Sequence, residues 1–413
     1  MIRKINVQQL RVGMYIYDLN CSWLNHPFLF GNSMKIKDKA IINKIVQFGI
    51  RELFIDTDKG LDVPEKSSSI DEEPLAEEIR GRRDNTHDKA EEQKQRKPGN
   101  VPITEELSKA RKIKQKTVQM IQRIMDDIKL GKQIEKGPAE DVVNDIVDSV
   151  FRNQDALIGL GRLRKINDYV YHHSMSVCVL MVSFAKHLGY NDDLIREVGI
   201  GAMLHDIGTA YVPQEILNKE SDLNDYEYKQ IKLHVEFGRT LLEQAKDISY
   251  TSIMTAYHHH ERIDGSGYPN GLKGDEITPF GQALAIADVY DALTTKRCYK
   301  NKILPTLALK MIYDWGETKF NRKLVETFIR SVGIYPAGSL VRLESGLLGF
   351  VIDHNENNSL HPVVRVVYDT KKNNYIAFPY DISLSESGGG NGEEKIISCE
   401  RPDRWNLQAE AYL

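Results

Sequence analysis

Cysteine is scarce in this chain: Cys21, Cys178, Cys298 and Cys399 are the only four in 413 residues, widely scattered and with no CxxC pair. That scarcity excludes a zinc ribbon and a disulfide framework and makes a reducing cytoplasm the expected compartment. Positive charge is not in excess either. A net charge of -4 and a pI near 6.3 leave no electrostatic footprint for duplex nucleic acid. Long apolar runs are absent as well. The longest, Val177 to Ala185, is interrupted by Ser183 and is far too short to span a bilayer. The N-terminal MIRKINVQQL has no apolar signal-peptide core. Neither secretion nor membrane insertion is expected. What is present, 41% apolar residues over a length sufficient for two or three domains, fits a soluble globular protein.

The most informative stretch is Tyr257-His258-His259-His260-Glu261-Arg262-Ile263-Asp264-Gly265-Ser266-Gly267-Tyr268-Pro269. Neighbours one residue apart on a helix point about 100° away from each other, so three consecutive imidazoles cannot share one buried face. They make better sense as metal ligands at a helix end. Two glycines and a proline then form a tight, irregular loop able to hold a side chain over a site. A solvated polar loop, or a surface metal trap of no consequence, is the alternative for these residues alone.

Taken in order, residues 1–60 read as a small N-terminal α+β regulatory domain, with strands over Gly13–Tyr17 and Arg51–Asp56 and helical spacing over Asp38–Phe48. Trp23 and His26-Pro27-Phe28 fit turn packing. Residues 61–102 are polar and of mixed charge, a flexible linker. Residues 103–165 hold two amphipathic connecting helices. Thr104 is the expected cap of the first, with Glu105 and Glu106 in its first turn and Gly131 at its end. Gly137-Pro138 resets the chain before a stripe of Val142, Val143, Ile146, Val147, Val150 and Phe151. Core packing is favoured for these helices over a homodimer seam. Residues 166–333 have almost no strand signal and form an all-α helical bundle. Residues 334–413 read as a small β-rich C-terminal subdomain, with strands over Leu340–Leu343, Leu348–Ile352 and Val363–Tyr368 and a flexible loop over Gly388–Glu394. His354 and His361 there read as surface residues. The fold class is mainly α.

Within the bundle, polar residues interrupt apolar helices. His173, His205-Asp206, His234, His258 to His260 and Asp288 each have a bland reading, as a hydrogen-bonded core histidine or a cap. Together they are harder to dismiss, because Asp206 and Asp288 sit in apolar sequence, where an unpaired carboxylate is costly unless it meets cations. Histidine and carboxylate without thiolate suit iron or manganese and admit zinc, nickel and copper.

These residues also carry a family resemblance. His205-Asp206-Ile207-Gly208 resembles the HD signature of metal-dependent phosphohydrolases. His259-His260-Glu261-Arg262 with Asp264-Gly265-Ser266-Gly267-Tyr268-Pro269 resembles the second signature of the HD-GYP subfamily, and Ala287-Asp288 to Thr294 with Arg297 and Tyr299-Lys300 its third. Residues 1–60 resemble a domain of unknown function that precedes some HD-GYP domains.

The resemblance implies a phosphodiesterase for a cyclic dinucleotide, cyclic di-GMP, cut to linear pGpG, with a second cut to GMP left open, in bacterial second-messenger signalling. A water activated between two divalent cations, iron or manganese before nickel or zinc, would attack phosphorus. By position, His173, His205, Asp206 and Asp288 would hold one ion and Asp206, His234, His259 and His260 the other, with Asp206 bridging. His172 and His258 fall outside these sets. Asp206, Thr209 and Asp291 are assigned to the catalytic set. Arg297 and Lys300 fall where the family contacts substrate phosphate, and Tyr268 lies at the site edge, also a surface for a protein partner. Three departures are evident. Tyr169 stands where members with a third metal carry Glu, which predicts two metals. Thr209 replaces a frequent lysine, and Ile263 a frequent tryptophan. A 3′,3′-cyclic GMP-AMP phosphodiesterase, a general nucleotidase and a slow nucleotide-binding module are the alternatives.

Overall fold

The computed structural model describes residues 2–18, 34–36, 39, 41–42, 45, 52–61, 101–163, 169–219, 221–295, 303–355, 358–384 and 394–412. Outside them lie Cys21, Trp23, His26 to Phe28, residues 62–100 of the expected linker, most of the expected helix over 38–48, Arg297, Cys298 and Lys300, and the glycine-rich loop. The chain divides into two compact units, Met1–Gly81 with Pro213–Ile231, and Arg82–Val212 with Lys232–Leu413.

In the first unit, β1 (Ile2–Asn6), β2 (Tyr15–Asp18), β3 (Met34–Lys35) and β4 (Glu52–Asp56) form an antiparallel sheet in the order β1-β4-β2-β3. Alternation puts Ile5, Ile16, Leu53 and Ile55 on one buried face. The short helix α5 (Gln214–Leu217) belongs to this unit, as does most of α6 (Asp225–Lys232).

The second unit is built on helices α1 (Ile103–Lys129), α2 (Lys136–Gly161), α3 (Tyr169–His187), α4 (Asp192–Met203), α7 (His234–Gln244), α8 (Tyr250–Tyr257), α9 (Pro279–Thr294), α10 (Pro305–Asp314) and α11 (Arg322–Val332). Caps set several starts: Asn191, Ser249, Thr278 and Asn321 each accept a backbone N–H of the turn they open. Thr104 does not cap α1. The helix begins a residue earlier, because Pro102 is extended and its carbonyl already accepts from the N–H groups of Glu105 and Glu106. Glu106 turns inward, accepting from Ser149 at 2.7 Å and from Arg152 at 2.8 Å, which pins α1 to α2. Gly137 and Pro138 lie in the first turn of α2. Both helices bury their apolar stripes by packing on each other and on α3. At the centre the Phe328 ring meets Phe184 at 5.3 Å and Tyr290 at 5.4 Å.

Helix α2 breaks at Asn153, which has φ -161° and ψ 106°. The Asn153 side chain accepts from the N–H groups of Asp155 and Ala156 and so caps the second half. At this break the helices meet a five-stranded antiparallel sheet of β5 (Leu340–Leu343), β6 (Leu347–Asn355), β7 (Asn358–Asp369), β8 (Asn374–Ser383) and β9 (Ile396–Glu400), ordered β8-β7-β6-β5-β9. The three expected strands correspond to β5, β6 and β7. His354 is not a surface residue. Its ring Nδ1 lies 2.7 Å from one Asp155 oxygen, its backbone N–H donates to the other at 2.7 Å, and Nε2 donates to the Tyr335 carbonyl at 2.9 Å. A carboxylate on one ring nitrogen and a carbonyl on the other require both to carry hydrogen, so the ring is an imidazolium. The side chain of His361 lies outside the described set. Among the described residues no helix is long and apolar enough to cross a membrane.

Candidate metal centre

Five segments of the second unit converge on one buried cluster. His173 comes from the first turns of α3, His205 and Asp206 from the turn after α4, His234 from the start of α7, His259 and His260 from the turn after α8, and Asp288 from α9. Gly208 permits the approach of α7: a Cβ there would lie 1.9 Å from the His234 carbonyl oxygen. Any side chain at 208 would push His234 away from Asp206.

The Asp206 carboxylate faces two ways. Oδ1 lies 3.3 Å from His234 Nε2 and 3.8 Å from His259 Nε2, while Oδ2 lies 3.4 Å from His205 Nε2 and 3.7 Å from His173 Nε2. Two groups of potential ligands result, Asp206 with His234, His259 and His260, and His173 with His205 and Asp206, each with its ligand atoms within 4.8 Å of one another. Asp288 adds to the second group, with Oδ1 3.0 Å from His173 Nε2 and 3.9 Å from His205 Nε2. Such spacings suit donor atoms arranged about an ion with bonds of about 2.1 Å.

Three observations show that the donors fit a cation. The Nδ1 atoms of His205 and His259 face the carbonyls of Ala202 and Ala256, which can only accept, so each Nε2 carries a lone pair into the cluster. His205 Nε2 is buried with no hydrogen-bond partner among the described residues. The Nε2 atoms of His234 and His259 lie 3.5 Å apart, a spacing at which both nitrogens could face one ion. Burial pushes the His259 pKa down to about 3 and holds His260 well below the usual histidine range, leaving both neutral and able to ligate. Burial also opposes charge on His173, but Asp288 and Asp291 override it and raise its pKa to about 9. Asp206 is held well below the usual carboxylate range, since His205 and His234 outweigh its burial.

The remaining sequence candidates divide. Asp291, one turn beyond Asp288 on α9, lies with Oδ2 2.6 Å from His173 Nδ1 and therefore holds the ring from behind. The Thr209 hydroxyl donates to the Asp206 carbonyl at 2.6 Å and braces the turn. His258 Nδ1 accepts from the Thr278 N–H at 3.1 Å, outside the ligand groups. The Tyr268 ring stands 4.6 Å from that of His260, at the side of the cluster. Arg297 and Lys300 fall outside the described residues, as does the Tyr169 side chain. Sequence reasoning left Glu261 without a role. Its carboxylate accepts from the N–H groups of Asn270 and Leu272, fastening the loop that carries Tyr268.

A helical domain in which a His-Asp pair at a helix end meets histidines from separate segments has the form of an HD domain, and residues 152–324 match the family described as HD domain. Residues 2–139 match a domain of unknown function (DUF3391). The chain is 33% identical to a cyclic di-GMP phosphodiesterase of Pseudomonas aeruginosa over 99% of its own length and 94% of the relative's. It belongs to the HD-GYP family of HD-domain proteins. Shorter matches include a cyclic di-GMP phosphodiesterase of Thermotoga maritima, 32% identical over 46% of this chain and 52% of that protein. A 3′3′-cGAMP-specific phosphodiesterase of Vibrio cholerae is 38% identical over 33% of this chain and 32% of its own length.

Proposed function

We propose that this protein is a metal-dependent phosphodiesterase that hydrolyses cyclic di-GMP to linear pGpG. The observation that carries the reading is the pair of donor groups sharing Asp206, with one carboxylate oxygen turned to each. In this reading His173, His205, Asp206 and Asp288 hold one divalent cation and Asp206, His234, His259 and His260 the other, with iron or manganese preferred to nickel or zinc. When bound, the ions supply Lewis acidity toward the phosphoryl oxygens and toward water. The chain's own residues fix the geometry: Asp291 and the carbonyls of Ala202 and Ala256 orient the rings, and Tyr268 walls the site beside His260. Hydrolysis forms a bond from the water oxygen to phosphorus and breaks the bond from phosphorus to the 3′ oxygen, which leaves with a proton. Arg297 and Lys300 are proposed as phosphate contacts, a role suited to fixed positive charge.

The names of the relatives support a cyclic dinucleotide as the substrate class. The Vibrio cholerae relative makes 3′,3′-cyclic GMP-AMP the second reading, with the same donor groups and a different base pocket. The test is anaerobic reconstitution with Fe(II) or Mn(II), chromatography of the products from both cyclic dinucleotides, and metal counted per chain. Cleavage with about two ions per chain is expected. Asp206→Ala should lose metal from both groups and fall to the activity of chelated protein. Full turnover by a metal-stripped Asp206→Ala protein would sink the reading.

A further inference from the structure

A cyclic dinucleotide carries two phosphodiesters, and only one at a time can lie at the donor groups. The other needs a partner. The carboxylates of Asp206, Asp288 and Asp291 would offset much of the charge that two divalent cations bring, so a second phosphate gains from fixed positive charge beyond that proposed for Arg297 and Lys300. Arg262 and Lys232 are basic residues beside the donor histidines and the Tyr268 ring. Arg262 is out of a substrate's reach: the residue is buried, its Nη1 donates to the carbonyls of His259 and Glu261, and its guanidinium lies 5.1 Å from the centre of the Phe320 ring. It is a brace for the loop.

Lys232 is placed differently. It ends α6 two residues before His234, is only half-buried, and holds its ammonium 4.8 Å from the centre of the Tyr268 ring. That ring is itself buried, 4.6 Å from His260 and 6.5 Å from His234. Lysine is ordinarily a mobile point charge that must give up rotamer freedom to make a contact. The buried aromatic face holds this one next to the donor groups before substrate arrives, which reduces the ordering cost of binding an anion.

We infer that Lys232, held on Tyr268, receives the second, uncleaved phosphodiester of the cyclic dinucleotide and thereby positions the first. This inference rests on the proposed function. Its test compares cyclic di-GMP with bis(p-nitrophenyl) phosphate, a diester with a single phosphate, on the metal-loaded full chain. Lys232→Met keeps the apolar stem and removes the charge. It should lower the ratio of kcat/KM for the cyclic dinucleotide to that for the small diester by about tenfold or more, through KM, with metal per chain unchanged. Lys232→Arg should restore part of the ratio, and Tyr268→Leu, which removes the platform, should shift KM in the same direction as Lys232→Met. An unchanged ratio, whether both substrates suffer alike or neither does, would overturn the inference while leaving wild-type turnover to support the enzyme. Wild-type cleavage of the small diester without cleavage of any cyclic dinucleotide would overturn the functional reading, and this inference with it.

Discussion

Asp291 shows how much of a site resides in what holds the ligands. Its carboxylate meets His173 on the ring nitrogen opposite the one that faces Asp288 and Asp206, so it sets which nitrogen carries the proton and how the ring is aimed. It is a positioning residue. Asp291→Asn retains an oxygen for the ring N–H and loses the charge, and metal affinity is expected to fall about 10- to 100-fold, read by competition with a chelator. Turnover at saturating metal should recover. A collapse of turnover with unchanged affinity would return Asp291 to the reacting atoms. The candidate ligands were legible in the sequence because carboxylates and histidines are expensive inside apolar helices, and each such exception asks for a partner. The family resemblance separated Asp288 as a ligand from Asp291 in the catalytic set, but the contact of Asp291 with the back of the His173 ring was not legible, because only the rotation of α9 decides which oxygen meets which nitrogen. Lys232 was equally silent, since a lysine near a helix end reads as solvent-facing until the ring beneath it is placed.

At the scale of elements, the junction between α2 and the C-terminal sheet is the part the sequence concealed most. His354 sits among polar residues near a strand end, and Asp155 follows an unremarked Asn153. Only the helix break and the pairing of β6 bring the two together. Strands β8 and β9 escaped notice for another reason. β8 is an edge strand whose exposed residues include Phe378, 88% accessible, so the alternation that marks a half-buried strand is missing. The Asp155–His354 pair has a defined pH signature. Burial opposes charge on both, yet each raises or lowers the other, with His354 pushed up and Asp155 held down. A raised histidine contributes stability that is complete below its unfolded pKa and is lost as pH rises through the folded value. A depressed aspartate contributes stability that is complete above its unfolded pKa and is lost as pH falls through the folded value. The pair therefore stabilises fully between about pH 4 and 6.5. Asp353 alongside is pushed up to about 7 by burial and by Asp155, and so is an uncharged acid over most of that window. Asp155→Asn should cost about 3–5 kcal/mol there, because it leaves a buried imidazolium without its counter-charge. Urea titrations of both proteins across pH should show the difference narrowing toward alkaline pH. A difference independent of pH would mean that the loss is one of packing.

For the molecule as a whole, the mainly helical class could be read from the near-absence of strand signal over residues 166–333, and the C-terminal sheet from the short apolar runs of β5 to β7. How the sheet attaches could not. Asp155 is held from β6, and immediately past the end of α2, Arg162 donates to the Ala337 carbonyl at 3.0 Å and the Ser339 hydroxyl at 2.9 Å. A chain ending at Val332 would retain all seven donor residues and lose these partners. It is expected to melt at a lower temperature than the full chain and to recover poorly from heating, by calorimetry or light scattering. An unshifted melt would show that the helices stand alone. The attachment at the break in α2 also bears on inheritance. A lineage that exchanged this sheet for another module would need, in the same event, a new base for Asp155 and new acceptors for Arg162, so the helices and the sheet are expected to be gained, lost and transferred together, as one heritable cassette.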